Sequence, residues 1–208
     1  MTHSEILSEV LAIAREERAC VSEYCRAAQS TDMASLAEVL RDNFRWCCEN
    51  DLLTADTITR WGLRAHGITC NEDVSSGYCL ASGSATVKAS GSATVRACDS
   101  ATVKAFDSAT VRVYGSATVE AFDSATVEAF DSATVKAYNS ATVRAFDSAT
   151  VEAYNNATVR AYGSATVRAY GSAYIHARYG AIECKLNDRA ILRHGNTITA
   201  ANGQTMTL

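Results

Sequence analysis

Two hydrophobic rhythms divide the chain. As far as His66, apolar residues recur at the spacing of a helix; from Gly83 onward they fall at every second position. In the first region Ile6, Leu7, Val10, Leu11 and Ala14 share one face, and Val21, Tyr24 and Cys25 extend it. Thr2 and Glu5 have the spacing of a capping box, in which each side chain satisfies a backbone N–H at the helix start. The pattern predicts a first helix from Thr2, a break at "QSTD" and a second helix from Met33 to Asn50. Leu36, Leu40, Phe44 and Cys47 or Cys48 line one side of that second helix. A third is capped by Thr54 and runs through Trp61 to His66, and Gly67 stands where a left-handed C-cap residue belongs. Three short helices make a small core. They are expected either to cap the rest of the chain or to form a homodimer with a second copy. Trp46 and Trp61 read as core anchors or as a partner-binding pair.

From Gly83 to Tyr170 the chain repeats 11 octads of the form [G/D/N]-S-A-T-V-[K/R/E]-A-[aromatic]. The first two place Ser90 and Cys98 in the aromatic slot, Asn156 replaces one serine, and "GSAYIHAR" (171–178) is a degenerate twelfth. A fixed short period marks a solenoid. Alternation within the octad marks a strand with one buried face. The charged slot decides which face that is. Lys88, Arg96 and Glu120 cannot line a narrow core, so Ala-Val-Ala points inward and Thr-charge-aromatic points outward. Slot one holds only residues that tolerate positive φ, so it marks a corner. Serine in slot two can bond the backbone there.

The fold expected is α+β and mainly β: a parallel β-helix (β-solenoid) of octapeptide repeats behind a small amino-terminal helical domain. The boundaries read 1–70 for the helices, 71–82 for a connector, 83–178 for the β-helix and 179–208 for irregular last coils and a cap. Small inward residues favour a thin, two-sided coil of 16 residues over a three-sided coil of 24. One buried valine per octad cannot offset the ordering of eight residues. Ladder hydrogen bonds and outward side-chain columns must therefore carry much of the stability.

On a two-sided coil one face reads Lys88, Lys104, Glu120, Lys136, Glu152 and Arg168. The other reads Arg96, Arg112, Glu128, Arg144 and Arg160, with Tyr114, Phe130, Phe146 and Tyr162 in a column beside them. The second face is the more basic. Its arginines Arg96, Arg112, Arg144 and Arg160, with those four aromatic residues, are the candidate partner-binding set. The rings either stack on one another or offer a surface to a protein or to nucleobases. Asp99, Asp107, Asp123, Asp131 and Asp147 offset the basic charge, which favours a protein partner over nucleic acid.

Composition narrows the picture further. The 208 residues carry net charge −4, and the first 82 account for 13 acidic and 7 basic side chains. No segment has the strong basic excess of a nucleic-acid-binding domain. Proline is absent, as uninterrupted ladder requires. No apolar run is long enough to span a membrane. The start lacks the pattern of a secretory signal, so a bacterial cytoplasm and eight reduced cysteines are expected. His66, Cys70 and Cys79 come nearest to a metal cluster and lack a second tight pair, so no metal or cofactor is expected. Four histidines, at 3, 66, 176 and 194, and no nucleophile or phosphate-loop motif leave no catalytic constellation.

The stretch "AYGSATVRAYGSATVRA" resembles the octapeptide repeats of bacterial ice-nucleation proteins, which implies a flat β-helix. Those repeats present threonines in T-x-T order, where this chain has T-V-[K/R/E]. The layout of "RWCCENDLLTADTITRWGLRAHGI" followed by "SGYCLASGSATVKASGSATVRA" is similar to that of accessory proteins of gut-bacterial prophages and mobile elements. That resemblance implies no catalytic residues. It implies a phage context, in which small non-enzymatic proteins bind and block host defence machinery such as CRISPR effectors. Sequence thus points to a non-catalytic protein-binding β-helix acting on a host protein or defence complex. A structural or ice-binding repeat protein is the second reading, and a nucleic-acid-binding solenoid the third.

Overall fold

The computed structural model describes residues 1–180 and 182–207. The chain divides into two compact units, residues 1–71 with 77–80, and residues 72–76 with those from 81 onward.

The first unit contains α1 (His3–Glu16), α2 (Val21–Ala28), α3 (Met33–Asp42), α4 (Phe44–Glu49) and α5 (Ala55–Arg60), then a 3-10 turn (Leu63–His66). Its β1 (Ile68–Cys70) pairs in parallel with β2 (Tyr78–Ala81). Five helices thus stand where three were expected, and two local devices make the difference. Arg18 takes a left-handed conformation (φ 56°), and the Ala19 N–H bonds the Ala14 carbonyl while the Arg18 N–H bonds that of Arg15. This is the Schellman closure of a helix end. It rotates the following helix, so Val21 is 78% exposed rather than on the buried face. At Asn43 the side-chain amide donates to the Val39 carbonyl, separating α3 from α4. The capping box of Thr2 with Glu5 forms as the sequence predicts, and Thr54 caps α5 as expected, in a box completed by Thr57. Gly67 is left-handed at φ 76°. Ile6, Val10, Leu36, Leu40, Leu63 and Ile68 centre the core. Trp61 is buried there, its indole N–H donating to Glu9.

The second unit is a parallel β-solenoid of about seven turns. Face I stacks β3 (Thr86–Ala89), β5 (Thr102–Ala105), β7 (Thr118–Ala121), β9 (Thr134–Ala137), β11 (Thr150–Ala153), β13 (Thr166–Ala169) and β15 (Glu183–Leu186). Face II stacks β4 (Thr94–Ala97), β6 (Thr110–Val113), β8 (Thr126–Ala129), β10 (Thr142–Ala145), β12 (Thr158–Ala161), β14 (Tyr174–Ala177) and β16 (Ile191–His194). Each repeat residue pairs with the one 16 positions on, as Val143 does with Val159, so two octads make one coil. Alanine and valine of slots three, five and seven fill the interior, and most are wholly inaccessible.

The corners explain slot one. All twelve residues there, glycine, aspartate or asparagine, have φ between 54° and 67°. A turn closes behind them, with the slot-three N–H donating to the slot-eight carbonyl (Ala109 to Phe106, 3.1 Å). Asp99 and Asp131 also accept the Gly83 and Gly115 N–H groups of the preceding coil at 2.9 and 3.0 Å. Aspartate therefore contributes a bond that glycine in the same slot lacks.

The ladder continues into the carboxyl-terminal region with one residue added to the spacing. Thr166 pairs with Glu183 and Tyr174 with Ile191, both 17 apart. Then β17 (Thr197–Ala200) and β18 (Thr205–Thr207) extend face II as antiparallel strands. The irregular coils expected there are regular strands in a shifted register.

Candidate binding surface

The eight candidate residues all stand on face II. Arg96, Arg112, Glu128, Arg144 and Arg160 form one outward column through successive register pairs. Tyr114, Phe130, Phe146 and Tyr162 form a second column at the strand ends, with ring centroids 4.8–4.9 Å apart and planes within 8° of parallel. Face I carries a matching column of Phe106, Phe122, Tyr138, Tyr154 and Tyr170.

Within each column the ring faces cover one another, and the first ring is covered by a cation. Arg96 lies over Tyr114 at 4.0 Å and Lys88 over Phe106 at 5.3 Å. A nucleobase could enter the middle of a column only by breaking a ring pair. The rings therefore stabilise the sheet as cross-strand neighbours and offer their edges outward. Tyr154 also donates to Glu152 at 3.1 Å. Burial and that bond push its hydroxyl up to about 12.

The charged columns are unevenly balanced. Glu128 accepts from Arg112 at 2.8 Å and Arg144 at 2.9 Å, so one carboxylate ties three coils together. Burial raises the Glu128 carboxyl, but the bonds and charges of Arg112 and Arg144 outweigh that and hold it low. On face I, Glu120 faces Lys104, and Glu152 lies between Lys136 and Arg168. Arg112 and Arg144 are thus held by ion pairs within the fold, and Arg96 by the Tyr114 ring.

Beyond Arg144 the face II column reads Arg160, His176 and Arg193, and Arg178 follows Tyr162 in the aromatic column. No acidic side chain faces outward from β12, β14 or β16. Burial, then the charges of Arg178, Arg193 and Arg160, lower the His176 imidazole. The sequence reading stopped this column at Arg160. The alternation in "YIHA" and "AILRH" could have extended it, had the 17-residue spacing been recognised.

The helical unit has its own concave feature, an apolar cavity of about 360 Å³ lined by Val10, Ala14, Ala27, Leu40 and the half-buried Trp46. All eight cysteines are free thiols, and burial pushes Cys47 up to about 12. Among the described residues no three His, Cys, Asp or Glu side chains are placed to hold a metal ion. Among them, too, no helix is long and apolar enough to cross a membrane. Comparison with protein-family models, curated proteins and solved structures returns no match.

Proposed function

We propose that this chain is a non-catalytic binding protein whose β-solenoid presents side-chain columns to a protein partner. In the phage or mobile-element setting that the sequence resemblance implies, the partner is a host defence complex and binding inhibits it. The observation that carries the reading is the fixed array itself. Outward charges and ring edges are held on a ladder about 4.8 Å apart per rung, so a partner meets them with little ordering cost. The pairing of Arg112 and Arg144 with the single carboxylate of Glu128, which offsets one of their two charges, favours a shaped protein surface over a polyanion attracted by bulk charge.

The test is affinity capture from a host bacterial lysate with the intact chain, beside a variant carrying Arg112→Glu, Arg144→Glu and Arg160→Glu. The expected result is a stoichiometric complex of defence proteins retained by the first bait and lost by the second. If the intact chain retains nothing but itself, the reading is wrong. One observation favours a second reading: Thr94, Thr110, Thr126, Thr142 and Thr158 also stand in register, as an ice-binding face requires. Thermal hysteresis abolished by their replacement would establish it.

A further inference from the structure

The solenoid reverses its own pattern at the carboxyl end of face II. Through the repeats, threonine and charge point outward and alanine and valine inward. In β16, Leu192 continues the inward position of Ile175, and Ile191 and Arg193 continue the outward positions of Tyr174 and His176. Cross-strand partners share a face. Pairing of Arg193 with Ile198, Ile191 with Ala200, and Ile198 with Met206 therefore places Ile198, Ala200 and Met206 outward. The pairing of Leu192 with Thr199 and His194 with Thr197 puts threonines on the inward side.

The outer surface over β14, β16, β17 and β18 thus gains Tyr174, Ile191, Ile198 and Met206. Ile191 is 38% and Met206 58% exposed, where repeat positions would show threonine or charge. Tyr174 and Ile191 stand beside the column of Arg160, His176 and Arg193, Ile198 and Met206 continue that column, and no acidic side chain lies on β12, β14 or β16. Arg193 donates to a backbone carbonyl, that of Gly195. An apolar centre of Tyr, Ile and Met beside arginines has the composition of a protein-binding hot spot.

We infer that this end of face II is the docking surface for an acidic, amphipathic segment of a protein partner. The inference rests on the binding reading above and moves its centre from the Glu128 region to the last five rungs of the sheet. Charge complementarity selects the partner: carboxylates meet Arg160 and Arg193, and apolar side chains cover Ile191, Ile198 and Met206. From β12 to β18 the surface spans about 19 Å at 4.8 Å per strand. That matches a helix of about 13 residues lying across the strands.

The test uses the intact chain and a labelled helical peptide of that length, with glutamates along one half of a face and leucines along the other. Fluorescence anisotropy is expected to show saturable binding. Arg160→Glu with Arg193→Glu should weaken it at least tenfold, and Ile198→Thr with Met206→Thr severalfold. Lys88→Glu with Lys104→Glu on face I makes the same charge change and should leave it unaltered. Circular dichroism melts confirm that each variant is folded. Absence of saturable peptide binding, or equal binding by the Arg160/Arg193 variant, overturns the inference. Tighter binding of a single-stranded oligonucleotide of matching length, lost in that variant, overturns the assignment to a protein. If the Arg160/Arg193 variant still captures the same complex from host lysate, only this surface fails and the binding function stands.

Discussion

Phe146→Ala tests whether the aromatic columns hold the solenoid together. Phe146 lies between Phe130 and Tyr162, each with its ring centre 4.8 Å away. Tyr162 has one ring neighbour in the column, because the next position is Arg178. An aromatic pair contributes about 0.5–1.5 kcal/mol beyond the area it buries. Removing Phe146 should therefore cost about 1–3 kcal/mol in stacking alone. Its half-buried ring adds part of the about 3–5 kcal/mol typical of a fully buried Phe→Ala change. The expected total is about 2–4 kcal/mol for Phe146→Ala and about half that for Tyr162→Ala. Urea unfolding of the intact chain, followed by far-ultraviolet circular dichroism, measures both. The slope of each transition must be compared, because stacked repeats can unfold in steps. Near-ultraviolet dichroism reports the loss of ring order independently. A cost for Phe146→Ala no greater than for Tyr162→Ala, or within about 0.5 kcal/mol of wild type as for an isolated surface residue, refutes the reasoning.

Three further outcomes are expected. Glu128→Gln should lower stability by about 1 kcal/mol at low salt and less at high salt, since it breaks two ion pairs on one carboxylate. The low folded pKa of Glu128 means that its contribution is present above its ordinary value of 4.5 and is lost as pH falls through the folded value. In a pH series of melts, the acid-side loss should therefore shrink in the glutamine variant. Asp123→Ala should cost about 1–2 kcal/mol because φ is 56° there, whereas Asp123→Asn should be near neutral, as Asn139 and Asn155 occupy the same slot. Equal melting points for the two Asp123 variants would contradict the corner argument. His176, lowered by burial and by Arg178, Arg193 and Arg160, favours the neutral ring when folded. Stability should thus fall as pH drops below the ordinary 6.5, and His176→Gln should flatten that part of the profile.

The repeat made the coil legible because each slot meets one environment. The charge in slot six fixed the inward face, and the small inward residues favoured the 16-residue coil that Val143 and Val159 display. The helical breaks were hidden for local reasons. Arg18 carries no sequence mark of a left-handed residue, and Asn43 acts through a bond to Val39 that depends on the turn already formed. At the surface, the columns were legible but their electrostatic state was only half so. Glu128 pairs with both Arg112 and Arg144 because it falls between them in register, whereas Arg160 meets Arg144 and His176. The carboxyl end was lost to a single added residue. It shifts the spacing from 16 to 17 and makes a regular outward column look like scattered letters.

That contrast bears on where recognition can reside. Within the repeats, outward side chains serve the neighbouring coils: rings cover rings, and carboxylates are held by cations above or below. A partner that engaged Arg112 or Arg144 would have to compete with Glu128, losing fold stability as it gained contact. Side chains at the end of face II have no such obligation. Ile191 and Met206 are exposed, Ile198 is half-buried, and Arg160 and Arg193 face no carboxylate on the adjoining strands. Covering them therefore adds apolar burial and charge pairing without dismantling existing contacts. A repetitive exterior is stable because it satisfies itself, so departures from the repeat are where a partner gains most. In this chain the outward apolar residues and the cations with no carboxylate on the adjoining strands depart from it together, on the same five strands.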